Sequence, residues 1–395
     1  MEPERLLVTF NAGSSTVKIG LFAREGGTAR RIGKGMIDFR DRPLRLELTE
    51  GPDHFDIALA AEPGEALDDV LAEAFGRLSW HFDLEAVAAV GHRVVHGGDL
   101  FDGPAVINDD TLGKMRALAA LAPLHQPQAL RLVEAIARMR PQLPQTASFD
   151  TAFHRSNADL VRRFALPRAL HDAGVKRYGF HGLSCASIAS ELARRAPRLA
   201  AGRVIVAHMG SGVSLCGMEG GLSRDVSMGF STLDGAPMAT RCGALDPGVL
   251  LHLLQQKGMS ADTLADLLYH RSGLLGVSGL SGDTRELLRS DRPEAREALE
   301  LYALRIAGEA ARIAATLGGL DGFVFTAGVG EHQPQVRAMI AARLEWLGLK
   351  LDAAANAANA PVISSPGSAV TAMVIPTDEE QVIADDIMGA LGWRG

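Results

Sequence analysis

Cysteine is scarce in this chain. Cys185, Cys216 and Cys242 are odd in number and show no C-x-x-C spacing, which argues against a disulfide framework and against a zinc site. Aromatic residues make up only 5%, so there are few platforms on which bases could stack, and a formal net charge of −7 gives no general attraction for polyanions or anionic lipid. No apolar run approaches a membrane span, and MEPERLLVTF at the start lacks a basic segment followed by a long apolar one. Lysine is also rare, six among the 40 basic residues. The P-loop G-x-x-x-x-G-K-[ST], a G-x-G-x-x-G after a strand, H-E-x-x-H, and a G-x-S-x-G between strand and helix are all missing, so the common nucleotide and hydrolase signatures lose support. These absences leave a cytoplasmic globular protein with no nucleic-acid or membrane partner.

What is present is a repeat. LLVTFNAGSSTVKIGLF from Leu6 and RVIVAHMGSGVSLCGMEGG from Arg203 each run from a β-favouring stretch through a Gly/Ser-rich turn into a second strand. Glycines allow close backbone approach and hydroxyls add donors, so such turns suit phosphate, although two plain hairpins would read the same way. A third glycine turn, FTAGVGEH, lies between a strand and a helix, where backbone amides can meet an anion.

Around these turns the chain alternates. EALDDVLAEAFGRL, TLGKMRALAALA, PQALRLVEAIARM, ASIASELARRA, GVLLHLLQQKG, the long segment from Ala295 to Gly319 and the tail from Thr377 to Met388 have helical spacing. AVAAVGHRVVHGG and a segment ending TASFDTAFH read as strands. Two α/β halves around a cleft are expected, with residues 1–150 in the first domain, 151–377 in the second, and the terminal helix 378–395 packing back on the first.

Polar residues interrupt apolar or glycine-rich segments at several points: Arg93 and His96 in VGHRVVHGG, His125 between prolines, Asp150 and His154 in FDTAFH, His181 in RYGFHG and Arg241 in MATRCG. A charge inside a strand is costly unless paired or functional, and Arg93 and Asp150 could simply pair with each other. As a group, the arginines and histidines suit a site that neutralises several negative charges and grips a planar anion. Lys18, in the first hairpin, reads either as a phosphate contact or as a solvent-facing strand lysine.

Together NAGSST with Lys18, GHRVVHGG, PLH, FDTAFH, RYGFHG, HMGSG, SMGFSTLDG, TRCGALDPG, SGDTREL, FTAGVGE and PTDEEQVIA resemble the acetate kinase family. That family shares a duplicated ribonuclease-H-like core with sugar kinases, heat-shock chaperone ATPases and actin. The resemblance implies an α/β fold of two actin-like ATPase domains around a central cleft, and reversible transfer of the γ-phosphoryl of ATP to acetate, giving acetyl phosphate and ADP. It further implies Mg²⁺, or Mn²⁺, near Asn11 and Glu379, a first phosphate turn with Ser14, Thr16 and Lys18, and a second over His208, Met209, Gly210, Ser211 and Gly212. Asp283, Thr284 and Arg285 would border adenine and ribose, as would Gly328, Val329, Gly330, Glu331 and His332. Arg93 and Arg241 would take the carboxylate and the phosphoryl in flight, His181 would donate to an equatorial oxygen, His125 would support it, and Asp150 would be the essential acidic residue. Val95, Leu124 and Phe180, with Thr232, would wall the acyl pocket. A homodimer is implied by the resemblance alone.

The chemistry accounts for that inventory. A carboxylate with a pKa of roughly 4–5 is already ionised at neutral pH and needs no general base, so Asp150 is better cast as an organiser, of metal-bound water or of Arg93. The obstacle is bringing one anion up to another, which cations and in-line positioning relieve. Ser211, Thr232 and His332 depart from the asparagine, proline and asparagine usual in the family. One methylene is worth only about 1–3 kcal/mol in such a pocket, so propionate or butyrate remain alternative acceptors. A polyol kinase or a nucleotide-switch ATPase on the same core are more distant alternatives.

Overall fold

The computed structural model describes residues 5–13, 16–39, 41–61, 67–123 and 125–394. Ser14 and Leu124, named above, lie outside them. The described chain divides into two compact units, residues 1–153 with 378–395, and residues 154–377.

The first unit is built on an eight-stranded sheet in the order β5-β4-β3-β2-β1-β6-β8-β7. The strands are β1 (Arg5–Ala12), β2 (Thr16–Glu25), β3 (Thr28–Asp38), β4 (Arg45–Glu50), β5 (Asp53–Ala58), β6 (Val87–Val94), β7 (Ala105–Val106) and β8 (Gln145–Phe149). The period of two along a strand divides their side chains between two cores. Val8, Phe10, Ile19, Leu21, Ile37, Leu46 and Leu48 pack on Val70, Leu71, Ala74 and Leu78 of the helix Leu67–Leu78. On the other face, Leu7, Phe22 and Ala89 pack on Ala384, Ile387 and Met388 of the helix Glu379–Ala390.

The second unit has a five-stranded sheet in the order β11-β10-β9-β12-β13. Its strands are β9 (Arg203–Met209), β10 (Val213–Glu219), β11 (Leu222–Val226), β12 (Gly322–Thr326) and β13 (Thr371–Val374). β1 pairs antiparallel with β2, as β2 does with β3, and parallel with β6, which pairs parallel with β8. β9 makes the same set with β10, β12 and, through them, β11 and β13. The repeat read from two hairpins is therefore a repeat of five strands, β3-β2-β1-β6-β8 matched by β11-β10-β9-β12-β13, the duplicated core that the resemblance implies. The helix Pro293–Leu317, opened by proline in its first turn and closed by Gly318 in the left-handed region, buries Ile306, Ala310 and Ile313 in this unit.

Two local expectations are corrected. The strand expected to run through FDTAFH stops at Phe149, and Ala152–Ser156 turns into a 3-10 helix. Phe149, Ala152 and Phe153 supply apolar residues without the regular alternation of a strand. The glycines of FTAGVGEH, read as a turn at the start of a helix, already lie within the helix Ala327–His332.

Candidate active site

In the first unit, the end of β1 brings Asn11 beneath the first turn of the helix Glu379–Ala390. Its amide nitrogen donates to Glu379 Oε2 at 2.7 Å and to Glu380 Oε1 at 2.8 Å. Its carbonyl oxygen accepts from Arg93 Nη1 at 3.1 Å. Arg93, near the end of β6, reaches Asp150 just past the end of the neighbouring β8. Nε lies 3.2 Å from each carboxylate oxygen and Nη2 lies 2.6 Å from Oδ2. Asp150 has no solvent exposure and Arg93 shows 12% of its side chain. Burial works against the Arg93 charge, but Asp150, Glu379 and Glu380 outweigh it and raise its pKa. The two charges singled out in the sequence do pair, in a fork that fixes the guanidinium plane.

Lys18 stands opposite Asn11 in the β1–β2 register and is exposed, while Gly13 N–H closes the hairpin on Thr16 O at 2.8 Å. His125 occupies the N-cap position of the helix Gln126–Met139 without a side-chain capping bond, and Val95 is buried next to β6.

In the second unit, His181 occupies the left-handed region, φ 57 and ψ 32, immediately before the helix Gly182–Arg195. Its Nδ1 is 2.9 Å from Ser214 Oγ, and its ring stacks on His208 with centroids 4.1 Å apart. His208 Nδ1 is in turn 2.8 Å from Ser184 Oγ. A side chain at Gly212 would meet His181 Cε1 at 3.2 Å, its Nε2 at 3.3 Å and Arg241 Nη1 at 3.7 Å, so the glycine keeps open a small space that an imidazole edge and a guanidinium border. Arg241 Nη1 also donates to Thr232 O at 3.3 Å. Met209 faces the core with no exposure, so its side chain does not line that space, whereas Ser211 is exposed and Gly210 half-buried. Phe180 and Thr232 are buried.

The remaining candidates are engaged locally. Asp283 caps the helix Thr284–Arg289 through Arg285 N–H and pairs with the Arg285 guanidinium at 2.5 Å. Glu331 reaches back to accept from Ala327 N–H at 2.8 Å, stabilising a left-handed alanine at φ 63, and His332 is exposed. Gly328 and Val329 belong to the same short helix, and Gly330 O accepts from Arg337. Arg337, which sequence reasoning passed over, is fully buried and ties this helix to Asn356. Its sequence signal was weak, since one arginine in PQVRAMIAA looks like an ordinary polar-face residue.

The donor set in the first unit suits a hard cation in kind, since Asn11 and Glu379 are oxygen-bearing and Glu380 adds a second carboxylate on the same amide, with the Arg93 guanidinium offsetting part of their charge. Among the described residues no group of three or more His, Cys, Asp or Glu side chains is arranged to hold a metal.

The sequence model of the Acetokinase family matches residues 6–385. An acetate kinase of Rhodopseudomonas palustris is 47% identical over 98% of this chain and 98% of its own. One from Rhizobium meliloti is 45% identical over 96% of each. Among solved structures, a Porphyromonas gingivalis acetate kinase is 34% identical with a TM-score of 0.85, covering 98% of this chain and all 100% of that one. A Francisella tularensis propionate kinase is 33% identical with a TM-score of 0.89, covering 97% of this chain and 98% of that one.

Proposed function

Because this chain belongs to the acetokinase family, whose reaction is reversible ATP-dependent phosphorylation of acetate, we propose a direct transfer in which a carboxylate oxygen attacks the γ-phosphorus in line. The observation that carries the reading is the Arg93–Asp150 fork. With Asp150 spent on orienting a guanidinium, it is poorly placed to take a proton from a hydroxyl. An acceptor that arrives ionised needs no such step. This favours a carboxylic acid over a polyol.

In this reading Arg93 and Arg241 hold the carboxylate and the phosphoryl in transit, and His181 donates from Nε2 to an equatorial oxygen as charge builds there. Nδ1 faces a serine hydroxyl, which can accept from Nδ1–H or donate to a bare nitrogen, so Ser214 holds the ring in either state. His125 supports the phosphoryl group. Thr16 and Lys18, with His208, Gly210, Ser211 and Gly212, face the phosphate chain, to which the family resemblance also assigns Ser14, the buried Met209 side chain supports that turn from the core side, and Asp283 to Arg285 and Gly328 to His332 border the nucleoside. Val95, Phe180 and Thr232 wall the acyl end, to which the family resemblance also assigns Leu124. Asn11 and Glu379 would hold Mg²⁺, which when bound neutralises phosphate charge and orients it. Two domains divided near residues 150 and 377, a homodimer and a cytoplasmic setting complete the proposal, supported by the family resemblance.

The test is a hydroxylamine trap with Mg-ATP and acetate, beside propionate, butyrate and glycerol. Acid-dependent hydroxamate, largest with acetate, is expected. ADP formed with glycerol, or with no acceptor at all, would overturn the reading.

A further inference from the structure

We propose that His154, which none of the roles above uses, is a positioning residue for the transfer: its Nε2–H holds the Phe180 carbonyl and so fixes the left-handed backbone at His181. The inference rests on the reading of His181 given above.

His154 is 1% exposed, and its Nε2 lies 3.0 Å from Phe180 O. A carbonyl oxygen only accepts, so Nε2 carries the proton. The opposite edge of the ring is placed by Ser223 Oγ, 2.9 Å from Nδ1, and by Cys216 Sγ at 3.9 Å. The Cγ–Cδ2 side of the ring is pressed against Gly179, where a Cβ would fall 2.6 Å from Cδ2 and 2.7 Å from Cγ, and where φ is +84. A side chain at Gly179 would therefore push the imidazole away from the carbonyl it holds.

What this contact secures is a strained turn. His181 sits in a region disfavoured for residues with a side chain, and such conformations last only where the surroundings over-determine them. Several bonds do so here. Tyr178 N–H donates to Gly229 O at 3.0 Å, and Cys185 N–H donates to His181 O at 3.0 Å. His154 takes the carbonyl between them. Ser214 and Cys216 are two apart on β10, which places both on one face of the strand. One strand therefore steers the His181 imidazole twice, directly through Ser214 and indirectly through Cys216, His154 and the Phe180 carbonyl. Transfer depends on that imidazole standing within a fraction of an ångström of its oxygen, so loosening the turn should act on the rate rather than on binding.

Two substitutions separate the hydrogen bond from mere packing. In His154→Gln the amide nitrogen extends to the place of Nε2, whereas in His154→Asn it reaches only that of Nδ1. His154→Gln is expected to keep kcat within about threefold, and His154→Asn to lose roughly ten- to hundredfold, with KM for acetate and Mg-ATP moving less than about twofold. Equal losses in the two variants, or none in His154→Asn, would overturn the proposal. A second measurement needs neither variant nor turnover: nitrogen-15 correlation spectra of the histidine-labelled wild type should show His154 protonated at Nε2. A proton at Nδ1 with a bare Nε2 would refute the contact, even if His154→Asn fails to fold. Wild-type protein without acid-dependent hydroxamate would instead refute the functional reading, and the His181 Cε1–H resonance, expected to shift in His154→Asn but not in His154→Gln, would still decide the positioning.

Discussion

The guanidinium of Arg337 is enclosed by neutral oxygens: Gly330 O at 2.8 Å, Glu331 O at 3.0 Å, Asn356 O at 2.7 Å, Asn356 Oδ1 at 2.8 Å and Asn359 Oδ1 at 2.6 Å. Burial pulls its pKa down to about 10, which leaves it charged at neutral pH. Removing it abandons several buried acceptors and opens a cavity, so Arg337→Ala should cost about 3–5 kcal/mol, read as a fall in the urea midpoint. Arg337→Lys should recover only part, because an ammonium cannot span the same fork. Arg241→Ala tests a different property of the same residue type. We expect kcat to fall by roughly 10²–10³-fold while the protein still unfolds cooperatively, and near-normal hydroxamate formation would remove Arg241 from the site. Arg93 and Asp150 were conspicuous in the sequence because each interrupts an apolar segment. That they meet depends on β6 lying beside β8, which no local pattern encodes.

The helix Glu379–Ala390 links packing to the site. β6 passes so close beneath it that a Cβ at Gly91 would lie 2.6 Å from Ile383 Cγ2 and 2.8 Å from Ile387 Cγ1. Gly91→Ala should therefore overpack the interface by about 1–3 kcal/mol. Since Glu379 and Glu380 open this helix, the Mg²⁺ concentration for half-maximal activity should rise as the melting temperature falls, and Ile387→Ala in the same background should partly restore both. An unchanged Mg²⁺ requirement in a destabilised Gly91→Ala protein would separate the helix from the metal. Long periodic helices such as Pro293–Leu317 were legible in the sequence. Gly273–Ser278 and Thr284–Arg289 were not, because they are short and carry little periodic signal of their own, whereas Ala261–His270 went unread although Leu264, Leu267 and Leu268 recur at helical spacing.

For the molecule as a whole, pH sets two opposed trends. Burial holds His92 and His96 at pKa values of about 4, so between pH 6.5 and 4 the unfolded chain binds protons that the folded one refuses, and stability falls as acid is added. Asp386 runs the other way, since burial pushes it up to about 6 against the opposing effect of Ser148 and Arg394. The folded state then binds the extra proton, and an ionised Asp386 is a burden above pH 6. Asp386→Asn should therefore stabilise by about 1–2 kcal/mol at pH 8, with the gain shrinking as pH drops through 6 and vanishing below about 4. Urea midpoints at both ends of the range check the sign. The duplication was readable from two hairpins because each turn kept its glycines, while β4, β5 and β7, which extend only the first sheet, have no counterpart in the second. The bond from Asn11 to Glu379 spans 368 residues, and Leu7, Phe22 and Ala89 find their cover in Ala384, Ile387 and Met388. During synthesis, then, the sheet made first waits uncovered on one face until nearly the whole chain has been translated, whereas residues 154–377 are contiguous and can fold as they emerge. The part of the protein born earliest is the part completed last, and it is there that a chaperone would have the longest time to act.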